Sequence, residues 1–455
     1  MSIQLFALED YRSGLELGRY SPPESFCPYF EVDPKLYSAL DTCKLRNRSR
    51  DALCKLRNRT SLKYYRNFYP LQARVLDYSA RAFPAYRFIL PEVMREDWLA
   101  GVDWDKFHRD HVVHQPLCGY VAIKLLSENP EDKPLSLPIG NTSILDVCVE
   151  NTLRWEGTAF VRDFLIGCGM SDKDQILQAN SPIARNVWRI FFQEAAYVAA
   201  VFHDLGYPWH YTKHISHNLD GVNAPVLKQT RNAQQIVEHF GHKFLFSALN
   251  GYQKMDAARP STWIDRITLL VEAALTKTHG FPGALGFLHL NDCVRRYPAH
   301  AQSPLHLLCV EWVATAIMMH DMGKIYWGNG LDDSGVPENP FLRLSFRKDP
   351  LSSLVTLVDV IENFERSIVS FEAPDKPEDD TVRLTYDNDS PSTKLEIDAS
   401  GTLTVSYQMK SQEDVLCKRS YLPGEQRVYF DPEYGYLDMS GLGITSVQLQ
   451  ASLAP

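Results

Sequence analysis

Histidine and aspartate stand side by side twice in this chain, as His203-Asp204 and His320-Asp321, each time after an apolar run and each time with a glycine two residues on, Gly206 and Gly323. Roughly one such pair is expected by chance at these residue frequencies, so a pair gains meaning only from its setting. Residues 188–202 are mostly apolar and read as a buried helix. A buried helix end that presents an imidazole beside a carboxylate needs something to neutralise the two, and a divalent metal does so. Gly206 and Pro208 read as the helix stop that leaves both groups at a C-terminal end, where the helix dipole favours a cation.

Four further residues could complete a ligand set. Residues 105–126 have amphipathic spacing that puts His111, His114, Cys118, Val121 and Leu125 on one stripe, although Pro116 is expected to kink or split the helix. Either His111 or His114 could be the ligand there. A helix over residues 263–278, with Ile264, Ile267, Leu270, Val271 and Ala274 inward, ends at His279-Gly280, with Lys277 just before. Ser303 and Pro304 are a good N-cap and first helical residue, and the apolar run they begin ends at Met319-His320-Asp321-Met322-Gly323-Lys324. Asp349-Pro350 caps a helix expected to run to residue 366, with Leu351, Leu354, Val355, Val358, Ile361 and Glu362 on its inner face and Asp359 at the edge. A carboxylate at that border needs a partner. The ordinary alternative for each lone histidine is a hydrogen-bonded packing or surface residue, and that reading is preferred for His210, His214 and His217 in a polar loop and for His239 and His242 on a helix over residues 237–248.

These residues need a scaffold, and the pattern is helical from about residue 98 to 370, with further helices around residues 152–168 and 182–202. Three units follow: residues 1–97, a mixed N-terminal unit; residues 98–370, the helical unit; and residues 371–455, a linker and a small β-rich C-terminal unit. In the last, Leu395 and Ile397 alternate with polar residues before the turn at Asp398-Ala399-Ser400-Gly401, and Leu403, Val405 and Tyr407 do so after it. It holds no ligand cluster and is assigned to structure, regulation or association. The N-terminal unit contains a tandem repeat, CKLRNR at 43–48 and again at 54–59, inside a basic segment, Lys44 to Arg66; its period of 11 residues matches three helical turns. A nucleic-acid contact there is possible in kind, but a solvated helix face is preferred.

Composition sets the outer limits. With 45% hydrophobic and 23% charged residues and no apolar run of spanning length, the chain of 455 residues reads as soluble and mainly α, with no membrane partner. The first ten residues lack a basic start and a long apolar centre, and the nine cysteines show no CxxC spacing, so reduced thiols and a cytoplasmic location are expected. A net charge of −9 argues against bulk nucleic-acid binding. Homo-oligomers remain open.

In chain order the candidates are His114, His203, Asp204, His279, His320 and Asp359. That order, H…HD…H…H…D, resembles the HD-domain metal-dependent phosphohydrolase superfamily over residues 98–370, through the segments DHVVHQP (110–116), FHDLGYP (202–208), THG (278–280), MHDMG (319–323) and DPLSSLVTLVD (349–359). A GYP signature of the cyclic-di-GMP-specific branch is not found downstream, because Gly206-Tyr207-Pro208 directly follows the pair. Four imidazoles and two carboxylates suit Mn, Fe, Zn or Ni better than Mg, and six ligands exceed the need of one hydrolytic ion. Two divalent transition-metal ions are therefore expected, with Asp204 between them, His114, His203 and Asp359 on one and His279 and His320 on the other. Water activated between two cations can attack phosphorus in line. Lys324 and Lys277 are candidates for substrate phosphate. The leading expectation is hydrolysis of a phosphoester, preferably a phosphodiester, in a nucleotide or cyclic nucleotide; the alternatives are a nucleotide-binding sensor on the same fold and a di-iron oxygenase, which the same ligand order also fits.

Overall fold

The computed structural model describes residues 2–5, 111–127, 135–140, 142–206, 274, 277–295, 304–328, 330–331, 335–362, 371–372, 383–384, 392–409 and 411–453. The tandem basic repeat, the histidines at 210, 214, 217, 239 and 242, and most of the helix expected over residues 263–278 lie outside these.

After a short strand β1 (Ser2–Leu5), the described helical part comprises α1 (His111–Leu125), α2 (Ile144–Leu153), α3 (Ala159–Gly167), α4 (Pro182–Phe202), α5 (Gly280–Arg295), α6 (Pro304–Met319), the single turn α7 (Gly323–Trp327), β2 (Leu344–Ser345) and α8 (Pro350–Ile361). Helix α4 starts where Ser181 accepts a hydrogen bond from the Ala184 N–H and Pro182 takes the first turn, where a missing N–H costs nothing. From Ala195 to Phe202 every residue of α4 is buried, so it is the central post, with α1, α2, α6 and α8 packed around it. Trp188, Phe191 and Phe192 of α4 meet Trp312 of α6, which also meets Phe160 of α3, mostly edge to face. The indole N–H of Trp312 also donates to Asp349 at 2.9 Å, and the same fully buried carboxylate caps α8 through the Ser352 N–H at 3.0 Å. One side chain thereby fixes α8 against α6.

Three sequence expectations change here. Helix α1 continues through Pro116. The helix expected over residues 152–168 is two, because Trp155 adopts a left-handed φ of 58° and Gly157 lies so close to Arg347 that a Cβ would overlap its carbonyl oxygen. Helix α8 ends at Ile361, before residue 366, because Glu362 turns extended.

The C-terminal residues add β3 (Phe371–Glu372), β4 (Arg383–Leu384), β5 (Ser392–Ile397), β6 (Thr402–Met409), α9 (Gln412–Phe430), β7 (Leu437–Asp438) and β8 (Ser446–Leu453). Four strands form one sheet in the order β1-β5-β6-β8; β1-β5 and β5-β6 are antiparallel, β6-β8 is parallel, and α9 makes the crossover. Helices dominate the described residues, and the sheet is small. A parallel pairing of β2 with β7 ties this sheet region to the helical part. Among the described residues no helix is long and apolar enough to cross a membrane. Cys118, Cys148, Cys168, Cys309 and Cys417 are not joined in disulfides.

Candidate metal centre

Four helix ends meet at one point. His203 is the C-cap of α4, His320 follows the last residue of α6, His279 precedes the first residue of α5, and Asp359 lies in the last turn of α8; His114, near the start of α1, closes the group. Two glycines make the approach possible. A Cβ on Gly206 would overlap the His279 carbonyl oxygen, and one on Gly280 would lie 2.6 Å from the Ile317 carbonyl oxygen. Gly206 therefore serves close packing of α4 against α5, beyond the helix stop read from the sequence.

The six side chains His114, His203, Asp204, His279, His320 and Asp359 are brought together in two overlapping sets. In the first, His114 Nε2 lies 3.1 Å from Asp359 Oδ1 and 3.2 Å from His203 Nε2, and His203 Nε2 lies 3.4 Å from Asp359 Oδ1. In the second, His279 Nε2 is 3.1 Å from His320 Nε2 and 2.8 Å from Asp204 Oδ1, with His320 Nε2 at 3.6 Å from the same oxygen. Asp204 sits between them, its Oδ1 also 3.3 Å from His203 Nε2 and its Oδ2 3.7 Å from His114 Nε2. Ligand atoms about 2.1 Å from a shared ion stand about 3.0 to 3.4 Å apart at octahedral or tetrahedral angles. Both sets fall close to that range.

The outer nitrogens say why these rings face inward. His203 Nδ1 donates to the Ala200 carbonyl at 2.7 Å and His320 Nδ1 to the Ile317 carbonyl at 2.6 Å. His279 Nδ1 donates to Asp321 Oδ2 at 2.7 Å, which also takes the His279 backbone N–H at 2.9 Å, and His114 Nδ1 donates to Glu362 Oε2. With each proton held on Nδ1, four Nε2 lone pairs point at one another and at two carboxylates. Such an arrangement is repulsive unless a proton or a cation stands between. No family model, curated protein or solved structure matches the chain. The buried His and Asp side chains are nonetheless able to hold metal.

Without metal, protons take the cations' place. Burial works against a charged His203, but the Asp204 and Asp359 carboxylates outweigh it and hold its pKa well above the ordinary histidine range. His279 is likewise opposed by burial yet raised to about 9 by Asp321 and Asp204. Burial alone would raise Asp359 and Asp321; hydrogen bonds from His114 and His203 pull the first well below its usual range, and His279 pulls the second down. Asp359 is the most exposed side chain of the cluster, at 26%, followed by His279 at 10%, whereas the His114, His203, Asp204 and His320 side chains are at most 4% exposed.

Lys324 is not in the cluster: its side chain is 70% exposed, with Nζ 4.0 Å from Asp321 Oδ1. Lys277 is also exposed. Of the two first-ligand candidates, His114 is in the cluster; the His111 side chain lies outside the described set. Sequence reasoning placed Glu362 on an inner helix face but did not find its role. It also missed Cys118, whose Sγ lies 3.6 Å from both nitrogens of His114 and belongs to the group able to hold metal. The spacing of four residues between His114 and Cys118, one helical turn, was the available signal.

Proposed function

We propose that this chain is a metal-dependent phosphohydrolase with a dinuclear centre, acting on a phosphoester of a nucleotide or cyclic nucleotide. The observation that carries the reading is the inward convergence of four Nε2 atoms whose Nδ1 protons are all committed to carbonyls or carboxylates. Four carboxylates, Asp204, Asp321, Asp359 and Glu362, accompany the four imidazoles, a donor set whose negative charge suits divalent cations. Divalent ions bound there would supply Lewis acidity toward phosphoryl oxygens and water.

The chain's own residues have separate tasks. His114, His203 and Asp359 would hold one ion and His279 and His320 the other, and Asp204, which approaches both sets, would serve both. Glu362 and Asp321 fix the tautomers of His114 and His279 and raise their basicity. The partly exposed edge at Asp359 and His279 is where a phosphoester can enter, and Lys277 and Lys324, exposed beside His279 and Asp321, are placed to meet further phosphate charge. The HD-domain resemblance implies the same assignment of ligands. The test is turnover of a generic phosphodiester and a nucleotide panel with added Mn or Fe, on the full chain and on Asp204→Ala. Activity is expected in the first and lost in the second; turnover that Asp204→Ala leaves unchanged, or tight nucleotide binding with no turnover under any metal, overturns the proposal.

A further inference from the structure

Two buried tyrosines of the C-terminal residues reach the backs of the two ligand sets. The Tyr407 hydroxyl, from β6, donates to the Val360 carbonyl at 3.0 Å. That carbonyl lies in the last turn of α8, beside the ligand Asp359 and two residues before Glu362, which holds His114. The Tyr436 hydroxyl, next to β7, donates to the Met319 carbonyl at 2.5 Å, on the last residue of α6 and directly before His320. Both rings are fully buried. Carbonyls in the last turn of a helix lack an intrahelical acceptor role and must be satisfied from elsewhere. The Met319 carbonyl also takes the Met322 N–H at 3.2 Å, and the two tyrosine donors come from 47 and 117 residues away in sequence.

We infer that Tyr407 and Tyr436 are positioning residues for the metal centre, each fixing one ligand set through the helix end that carries it. The inference rests on the metal-centre reading above. Each ring is itself held rigidly. The Tyr407 ring lies under Lys418 Nζ of α9 at 4.4 Å, and Lys418 pairs with Glu425 at 3.3 Å. Tyr436 accepts the Leu344 N–H at 2.9 Å and donates its own N–H to the Val428 carbonyl at 2.8 Å, while its ring packs on Tyr326 at 5.5 Å. Burial raises both phenols well above their usual range, so both stay protonated donors. The C-terminal residues are thus coupled to the two ligand sets by two hydroxyl groups, one per set.

Removing only those oxygens tests this. Mn²⁺ is titrated into the full chain, wild type, Tyr407→Phe and Tyr436→Phe, and into each tyrosine variant combined with Asp359→Ala, which disables the first set. Each single variant is expected to weaken one of two Mn²⁺ sites about tenfold, the low end for an outer partner of a ligand. In the Asp359→Ala background, Tyr436→Phe is expected to weaken the remaining site further and Tyr407→Phe to leave it unchanged. That selectivity separates positioning from a general loss of packing, which weakens both sites alike. Affinities within twofold of wild type in both variants, or equal losses at both sites, overturn the inference while leaving the metal centre intact; a wild-type chain that binds no Mn²⁺ overturns the metal-centre reading itself.

Discussion

Metal uptake by this centre should expel about one proton for each ion at neutral pH. In the metal-free chain, carboxylates hold a proton on His279 up to about pH 9 and keep His203 charged well beyond the ordinary range. A ligand nitrogen must give up its proton, so binding is a competition. For His279 the sign is fixed by the raised pKa: below about 9 the proton is present and opposes the metal; above it the opposition is gone. At pH 7, two units below that value, ~99% of the metal-free molecules are protonated there, and the ion pays about 2.7 kcal/mol, close to a 100-fold loss of affinity against pH above 9. A histidine of ordinary pKa near 6.5 would release only about a quarter of a proton at pH 7. Calorimetric titration of Mn²⁺ at pH 7 in buffers of different ionisation enthalpy counts the protons directly. The expected count is close to one per ion, with affinity at the His279 set rising about tenfold per pH unit from pH 6 and levelling near pH 9. Tight binding with no proton release, or affinity flat across that range, would refute the reasoning.

Three other outcomes follow from the same geometry. Glu362→Gln keeps a hydrogen bond to His114 Nδ1 but removes the charge, and should lower affinity in the first set about 10-fold to 100-fold, read by Mn²⁺ titration; Asp321→Asn should do the same in the second through His279. Gly206→Ala forces a methyl into the His279 carbonyl, so α4 and α5 must part; a loss of about 1–3 kcal/mol in denaturant unfolding and weaker metal binding are expected, and a wild-type midpoint would contradict the packing. Trp312→Ala removes the centre of the aromatic core and one partner of buried Asp349, at a cost of about 3–5 kcal/mol by urea unfolding, without touching a ligand.

What the sequence discloses and what it hides divide along a physical line. His203, His320 and Asp359 were legible because each sits at the end or edge of a strongly apolar helix, and such an end is a local pattern. The partners that aim the rings were not, because they are distant in sequence: Glu362 meets His114 across 248 residues and Asp321 meets His279 across 42. Their pairing depends on how the helices cross. Helix α9 escaped notice because its sequence is polar, carries Pro423 inside and has only Val415, Leu422 and Phe430 buried. Tyr407 was legible as an inward residue of a strand, since alternation reports burial; the use of its hydroxyl on α8 is a tertiary fact. Likewise Gly206 reads as a helix stop on its own, and only the neighbouring His279 carbonyl shows that no side chain fits.

The claim that the six residues form a two-ion centre is tested most directly by elemental analysis of the chain purified without chelator, alongside Asp204→Ala. Two divalent transition-metal ions per wild-type chain, and fewer than one in the variant that loses the carboxylate between the two sets, is the result expected. A metal-free wild type that takes up no Mn, Fe, Zn or Ni when these are supplied would contradict it.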